Sequence, residues 1–275
     1  MAEIRLGTQG WHYKDWVGAF YPPGTPPSAY LPFYSRVFDA VELDTTFYGP
    51  PRPETIRLWD ETTPENFRFA AKMPRTITHD KRLIDTEADL VEFLTVMQGL
   101  GSKLGPILIE LPPSFEASEV HSLKRFLEIL PEEFRYSVEF RHKSWHNHDT
   151  AELLRRHRIG WTVIDLHHLA LDIRLTADFS YLRWLGNRRD ITKLNLVQID
   201  RSRDLEDWAR RLDEIAEKVQ RVYGFMNNHY AGHSPASVRE PQRRHRPPGR
   251  RPAFSLASGN PPIRHLSRHV KFRPN

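Results

Sequence analysis

Eight short apolar segments recur along the chain, at residues 4–8, 40–44, 67–72, 106–110, 136–141, 161–165, 181–185 and 222–228, and most end in a charged or amide residue. Helix-like stretches separate most of them. Strands alternating with helices predict a parallel sheet. Eight such units in 275 residues predict one closed (β/α)8 barrel of the TIM type. In that architecture the strand ends on one rim build the active site. The pattern therefore nominates Glu42, Lys72, Glu110, Glu139, Arg141, Asp165, Arg183, Asn227 and Asn228.

The spacing of Leu90, Phe93, Leu94 and Met97 predicts a helix within 86–100, and 118–130 reads the same way, with Ser118 as N-cap. A further helix is expected over 149–157, capped by Asp149 or Thr150. The longest is expected over 204–222, with Leu205, Trp208, Leu212, Ile215 and Val219 on one face. Pro53 suits the first turn of a short helix after the second segment. Only 13 residues, 166–178, separate the sixth and seventh segments, so the helix there is expected to be degenerate.

The formal charge of +5 divides unevenly. Beyond Glu240 there are eight Arg, one Lys and no acidic residue, a charge of +9; the first 240 residues hold 31 basic and 35 acidic side chains, a net of −4. Residues 1–240 are thus expected to form the barrel. Residues 241–275, with seven Pro and little apolar periodicity, read as a disordered basic tail. Any weak nucleic-acid contact belongs to that tail, and the alkaline pI does not make the barrel a nucleic-acid binder. The absence of cysteine excludes disulfides, thiolate nucleophiles and cysteine-ligated metals. No apolar run is long enough to span a bilayer and no signal peptide is visible, so the expectation is a cytoplasmic protein without membrane contact.

Four motifs carry a resemblance: Gly7-Thr8-Gln9-Gly10-Trp11-His12-Tyr13, Val41-Glu42-Leu43-Asp44-Thr45-Thr46-Phe47-Tyr48, Phe67-Arg68-Phe69-Ala70-Ala71-Lys72-Met73-Pro74 and Val138-Glu139-Phe140-Arg141-His142-Lys143-Ser144-Trp145. With Asn227-Asn228-His229-Tyr230-Ala231-Gly232-His233-Ser234-Pro235, they resemble the YecE-like family, also called domain of unknown function 72, over roughly the first 240 residues. The resemblance implies a (β/α)8-type barrel and supplies no reaction. The sequence departs from the family's pattern at Leu185, where many members have His before the glycine, and from Pro241 onward, where a shift of reading frame would explain the change.

At the rim, Glu42 and Glu139 are the candidates for proton transfer, provided different environments keep one of them protonated. The competing reading is a salt-bridge network that plugs the barrel. Lys72 is a candidate for Schiff-base chemistry, for holding an anion, or for pairing with Glu42. Arg141 and Arg183 would hold anionic charge, while Asp165, Asn227 and Asn228 would orient a ligand. Arg188, with Arg189, follows the seventh segment, where barrels often bind phosphate. Trp11, Tyr13, Phe47, Tyr48 and Trp145 fall in rim loops, where aromatic rings stack on sugars or bases. Glu42, Asp44, Glu110, Glu139, Asp165, His79, His142 and His229 offer metal donors without a compact metal spacing, so no metal or other cofactor is assigned. His121, His157, His167 and His168 are read as lying away from the rim. The leading expectation is a cofactor-independent hydrolase or lyase on a small polar, phosphate-bearing or sugar-like ligand. The alternatives are a metal-dependent endonuclease- or sugar-isomerase-like barrel and a non-catalytic nucleic-acid or small-ligand binder.

Overall fold

A computed structural model describes residues 2–245. The eight segments form eight parallel strands: β1 (Glu3–Gln9), β2 (Ala40–Leu43), β3 (Arg68–Lys72), β4 (Leu104–Glu110), β5 (Tyr136–Glu139), β6 (Gly160–Asp165), β7 (Phe179–Trp184) and β8 (Arg221–Met226). Each pairs with the next, and β8 closes on β1 with Leu6 opposite Gly224. Helices α1 (Tyr30–Val37), α2 (Pro53–Thr62), α3 (Glu87–Met97), α4 (Val120–Glu128) and α5 (His148–Arg156) follow the first five strands. Helices α6 (Ser202–Ala216) and α7 (Ser234–His245) follow β7 and β8. No helix forms between β6 and β7, so the short connection there behaves as its length predicts. No helix among the described residues is long and apolar enough to cross a membrane.

Packing explains the alternation. Leu205, Trp208, Leu212 and Ile215 of α6 are buried, each contributing about 1.5–3 kcal/mol relative to exposure. Gly224 has no side chain to obstruct Trp184, whose ring meets Trp208 edge-on at 5.4 Å between centroids. Inside the barrel a separate apolar layer combines small Ala40 and Ala70 with large Phe179, Tyr181, Tyr223 and Phe225. Small residues on β2 and β3 thus leave room for the aromatics of β7 and β8, filling the lumen.

Three local expectations differ. The turn leading into α4 is capped by Glu116, whose carboxylate and that of Glu119 form a reciprocal box, in place of Ser118. Helix α5 is capped by Asn147, which accepts from Thr150 N–H at 2.9 Å. Helix α6 ends at Ala216, before a short connection into β8. The division expected at 240/241 falls inside α7, which carries Pro241. The expected disorder of the basic tail concerns residues that, from 246 on, lie outside the described ones.

Candidate active site at the barrel rim

Strand alternation turns Glu42, Lys72, Glu110, Glu139 and Arg183 toward the lumen, above the aromatic layer. Their contacts establish that direction. Arg183 is 3% exposed and donates to Glu42 at 2.8 Å and to Glu110 and Glu139 at 2.7 Å each. Asp44 lies 3.8 Å from the same guanidinium. Arg141 bonds Glu139 and reaches Glu110 at 3.2 Å. Lys72 pairs with Glu110 at 3.1 Å, so its carboxylate partner is Glu110 and not the expected Glu42. Its Nζ also stands 4.0 Å from the Phe47 ring centroid. Thr46 fixes the lysine's backbone by accepting from its N–H at 3.1 Å.

Four carboxylates therefore meet three cations. Burial penalises charge on Glu42 most, and Asp44 adds repulsion. Together they outweigh Arg183 and the Tyr181 hydroxyl, 2.6 Å away, and raise the Glu42 carboxyl to about 7. Asp44 is also raised, chiefly by burial among protein atoms, which outweighs Arg183 and Lys72. Its side chain still keeps 37% exposure at the opening, while Glu42 has none. Glu110 goes the other way. Burial opposes its charge, but Arg183, Arg141 and Lys72 overcome it and hold the group well below the usual carboxylate range. Two carboxyl groups on one guanidinium are thus driven apart, the pattern by which protein sites separate acids from bases. Two buried donors beside them, Gln9 Nε2 and Arg183 Nε, have no acceptor among the described residues.

The other nominated residues divide. Asn227 donates to Gln9 at 2.6 Å at the edge of the cluster. Tyr13 is half-buried, donates to the Gln9 carbonyl at 2.7 Å, and has its hydroxyl raised by burial, then by Asp44 and Glu42. Tyr48 is 81% exposed and meets Phe47 edge-on. Trp11 packs on Trp59 and Phe69, on the outer side of the strands. Trp145 is buried and donates to the Phe115 carbonyl at 2.8 Å. Asp165 accepts from Trp208 at 2.7 Å, facing α6. Asn228 accepts from Trp16 and Ser234, tying loops together. Arg188 is exposed on the loop after β7, within electrostatic reach of His229.

His167 and His168 correct the sequence reading. They directly follow β6, on the rim side, and His168 feels Arg141. Sequence reasoning gave Asp44 and His79 only metal roles and left Tyr181 and Gln9 without one. The period of two was a usable signal, because Asp44 lies two residues after Glu42 and Tyr181 two before Arg183. Among the described residues no three His, Asp or Glu side chains gather as a metal-holding group, and the carboxylates converge on Arg183. A cavity of about 720 Å³ opens at the opposite end, before β5, β6 and β7, among Arg135, Tyr136, Arg158 and Asp178.

A protein-family model described as "Protein of unknown function DUF72" matches residues 5–258, somewhat further than the resemblance reached. The UPF0759 protein YecE of Escherichia coli (strain K12) is 37% identical over 139 residues, 50% of this chain and 48% of YecE. The chain thus aligns with about half the length of that relative. The UPF0759 protein YunF of Bacillus subtilis (strain 168) is 24% identical over 83% of this chain and 90% of its own length. Among solved structures, a DUF72 family protein from Thermotoga maritima superposes with a TM-score of 0.76 and 28% identity, covering 88% of this chain and 99% of that one. Another, from Enterococcus faecalis, gives 0.73 at 18% identity, covering 89% and 98%, and shares the fold.

Proposed function

From the premise that this chain belongs to the DUF72 family, whose description names no reaction, we propose that the rim performs acid/base catalysis with side chains alone, as a hydrolase or lyase on a small sugar-like or phosphate-bearing ligand. The observation that carries this reading is the unlike setting of two carboxyl groups on one guanidinium: Glu42 is fully buried with Arg183 and Tyr181, which raises it, while Glu110 faces Arg183, Arg141 and Lys72, which lower it. A network that only plugged the barrel would favour matched charges. Here the carboxylates outnumber the cations, and one of them holds a proton near neutral pH.

Asp44 keeps 37% of its side chain exposed at the opening and lies next to the buried Glu42, so it takes the part of donor to a leaving-group oxygen, with Glu42 behind it as the proton reserve. Lys72 and Arg141, whose side chains are 11% and 19% exposed, hold anionic or hydroxyl oxygens of the ligand. Gln9 and Asn227 orient it. Tyr48 offers a ring to a sugar face. Glu139 has no exposed side-chain surface and is bound by Arg141 and Arg183, so its part is to aim those cations, with proton transfer left to Glu42 and Asp44.

The test is a turnover panel on the full chain: p-nitrophenyl phosphate, hexose phosphates and p-nitrophenyl glycosides between pH 5 and 9. Hydrolysis of a member, with Asp44→Asn lowering kcat by about 10²–10⁴-fold and Lys72→Met raising KM, is the expected result. Absence of turnover across the panel, or an Asp44→Asn protein as fast as the parent, overturns the reading.

A further inference from the structure

Among the described residues the rim holds an acid and no free base, because Glu110 is held by three cations and Glu139 by two arginines. We infer that His79, on the loop after β3, is the proton acceptor of the site, presenting the bare Nε2 of a neutral imidazole to the opening beside Lys72 and Phe47. The inference rests on the acid/base reading of the rim and supplies its missing partner.

The contacts of Thr78 point to one tautomer. His79 Nδ1 lies 2.8 Å from Thr78 Oγ1, and that hydroxyl lies 3.2 Å from the Pro74 carbonyl. A carbonyl oxygen only accepts, so a Thr78 hydroxyl that donates to Pro74, beside the Ile77 and Thr78 N–H groups, leaves its own oxygen to accept from Nδ1–H. The lone pair is then on Nε2. The ring stands edge-on to Phe47 at 4.9 Å, and Lys72 Nζ stands 4.0 Å from that same Phe47 centroid. Groups facing the imidazole are Glu110 at the end of β4, Lys72 at the end of β3, and Arg75 and Asp80 of its own loop. Burial first, then Lys72 and Arg75, favour the neutral ring, while Glu110 and Asp80 oppose them.

The loop is built to hold this ring. Residues Thr76–Asp80 form a π turn, a rare geometry frequent at functional sites. Arg82, Leu83 and Asp85 follow with φ of 50°, 66° and 52°, left-handed conformations that side chains disfavour. Arg82 locks them by bonding Glu119 and donating to the Ser114 carbonyl at 3.0 Å, across to the loop after β4. In a reaction, Nε2 takes the proton of a water or substrate hydroxyl. The electron pair of the broken O–H bond stays on that oxygen, and the imidazolium formed faces the ionised Glu110. Asp44 delivers a different proton to the leaving group.

The deciding experiment is long-range ¹H–¹⁵N correlation spectroscopy of the ¹⁵N-histidine-labelled full chain, titrated from pH 5 to 9. The expected result is an Nδ1–H tautomer for His79 at pH 7.5. Its midpoint should rise in Lys72→Met and fall in Glu110→Gln. Thr78→Val should scramble the tautomer and Thr78→Ser restore it. An Nε2–H tautomer, or a midpoint unmoved by both rim variants, overturns the inference whether or not any substrate is turned over. If a panel member is hydrolysed, His79→Gln should remove the acidic limb of its pH–rate profile; an unchanged limb also overturns the inference. Failure of the panel with the expected spectra counts against the hydrolase reading and leaves the base in place.

Discussion

The two ends of this barrel both bury an arginine, and they neutralise it with different chemistry. At the foot, Arg5 is 5% exposed and donates to the backbone carbonyls of Asn66 at 2.5 Å and Asp39 at 3.4 Å. Its carboxylate partner, Glu3, keeps 50% of its side chain in solvent. At the rim, Arg183 meets three buried or nearly buried carboxylates, with a fourth close by. Carbonyl dipoles do not titrate, and carboxylates do. The foot is therefore a fixed cap, whereas the rim changes charge with pH and can move protons.

The largest effect that would sharpen this contrast is removal of the rim guanidinium. Arg183→Met leaves Glu42, Glu110 and Glu139 facing one another without their shared donor. Breaking a buried ion cluster by deleting one partner costs about 3–5 kcal/mol. Urea unfolding at pH 7 should show that loss as a lower midpoint at unchanged slope. A loss below about 1 kcal/mol, small against that cost, would mean the carboxylates relax into water, and the two ends would no longer differ in kind.

The next effect is the pH dependence of stability. The Glu42 carboxyl titrates at about 7 when folded, against an ordinary value of 4.5. Between those values the native state keeps a proton that the unfolded chain has released, so raising the pH favours unfolding. Stability should therefore fall across that window by roughly 3 kcal/mol at most. Asp44, also raised, acts in the same sense. Glu110 has the opposite sign, because its stabilising ionisation is lost only as the pH falls below the ordinary carboxylate range. Glu42→Gln should flatten the slope between pH 5 and 7 in urea melts at several pH values. A variant with the parent's slope would place the titrating group elsewhere.

Much of the frame was legible because β-strand burial leaves an unambiguous mark. Every apolar segment became a strand, and the lack of room between segments six and seven correctly removed a helix. Strand-end charges were legible for the same reason, since Glu42, Glu139, Lys72, Arg141 and Arg183 share one cluster. What failed to show was pairing across the lumen. No sequence pattern says that Lys72 prefers Glu110 to Glu42, because that depends on which strands face each other. Nor does it say that Trp145 turns inward to the Phe115 carbonyl, since loop aromatics carry no period. His79 was visible only as a metal donor, because its bond to Thr78 depends on a π turn that local sequence does not encode.

At the foot, the same substitution as at the rim should cost less. Arg5→Met takes its donor from the carbonyl of Asn66, an exposed residue, while the Asp39 carbonyl keeps the Arg68 N–H, a loss of about 1–3 kcal/mol. Comparing its urea midpoint with that of Arg183→Met at one pH is the direct test. Equal losses would show that burial of the arginine alone, and not the nature of its partners, sets the cost.

The smallest effect falls on Glu3, the carboxylate that bonds the foot's arginine. Glu3 bonds Arg5 and lies 3.8 Å from Arg221, but half of its side chain is already in water. An exposed ion pair is worth about 0–1 kcal/mol and is screened by salt. Glu3→Gln should therefore shift the urea midpoint slightly at low ionic strength and not at all in strong salt, since the carbonyls of Asn66 and Asp39 still hold the guanidinium. A loss of several kcal/mol, persisting in salt, would make Glu3 the true counter-charge of the foot. The two ends would then be variants of one device, and titration would lose its standing as the property that marks the rim.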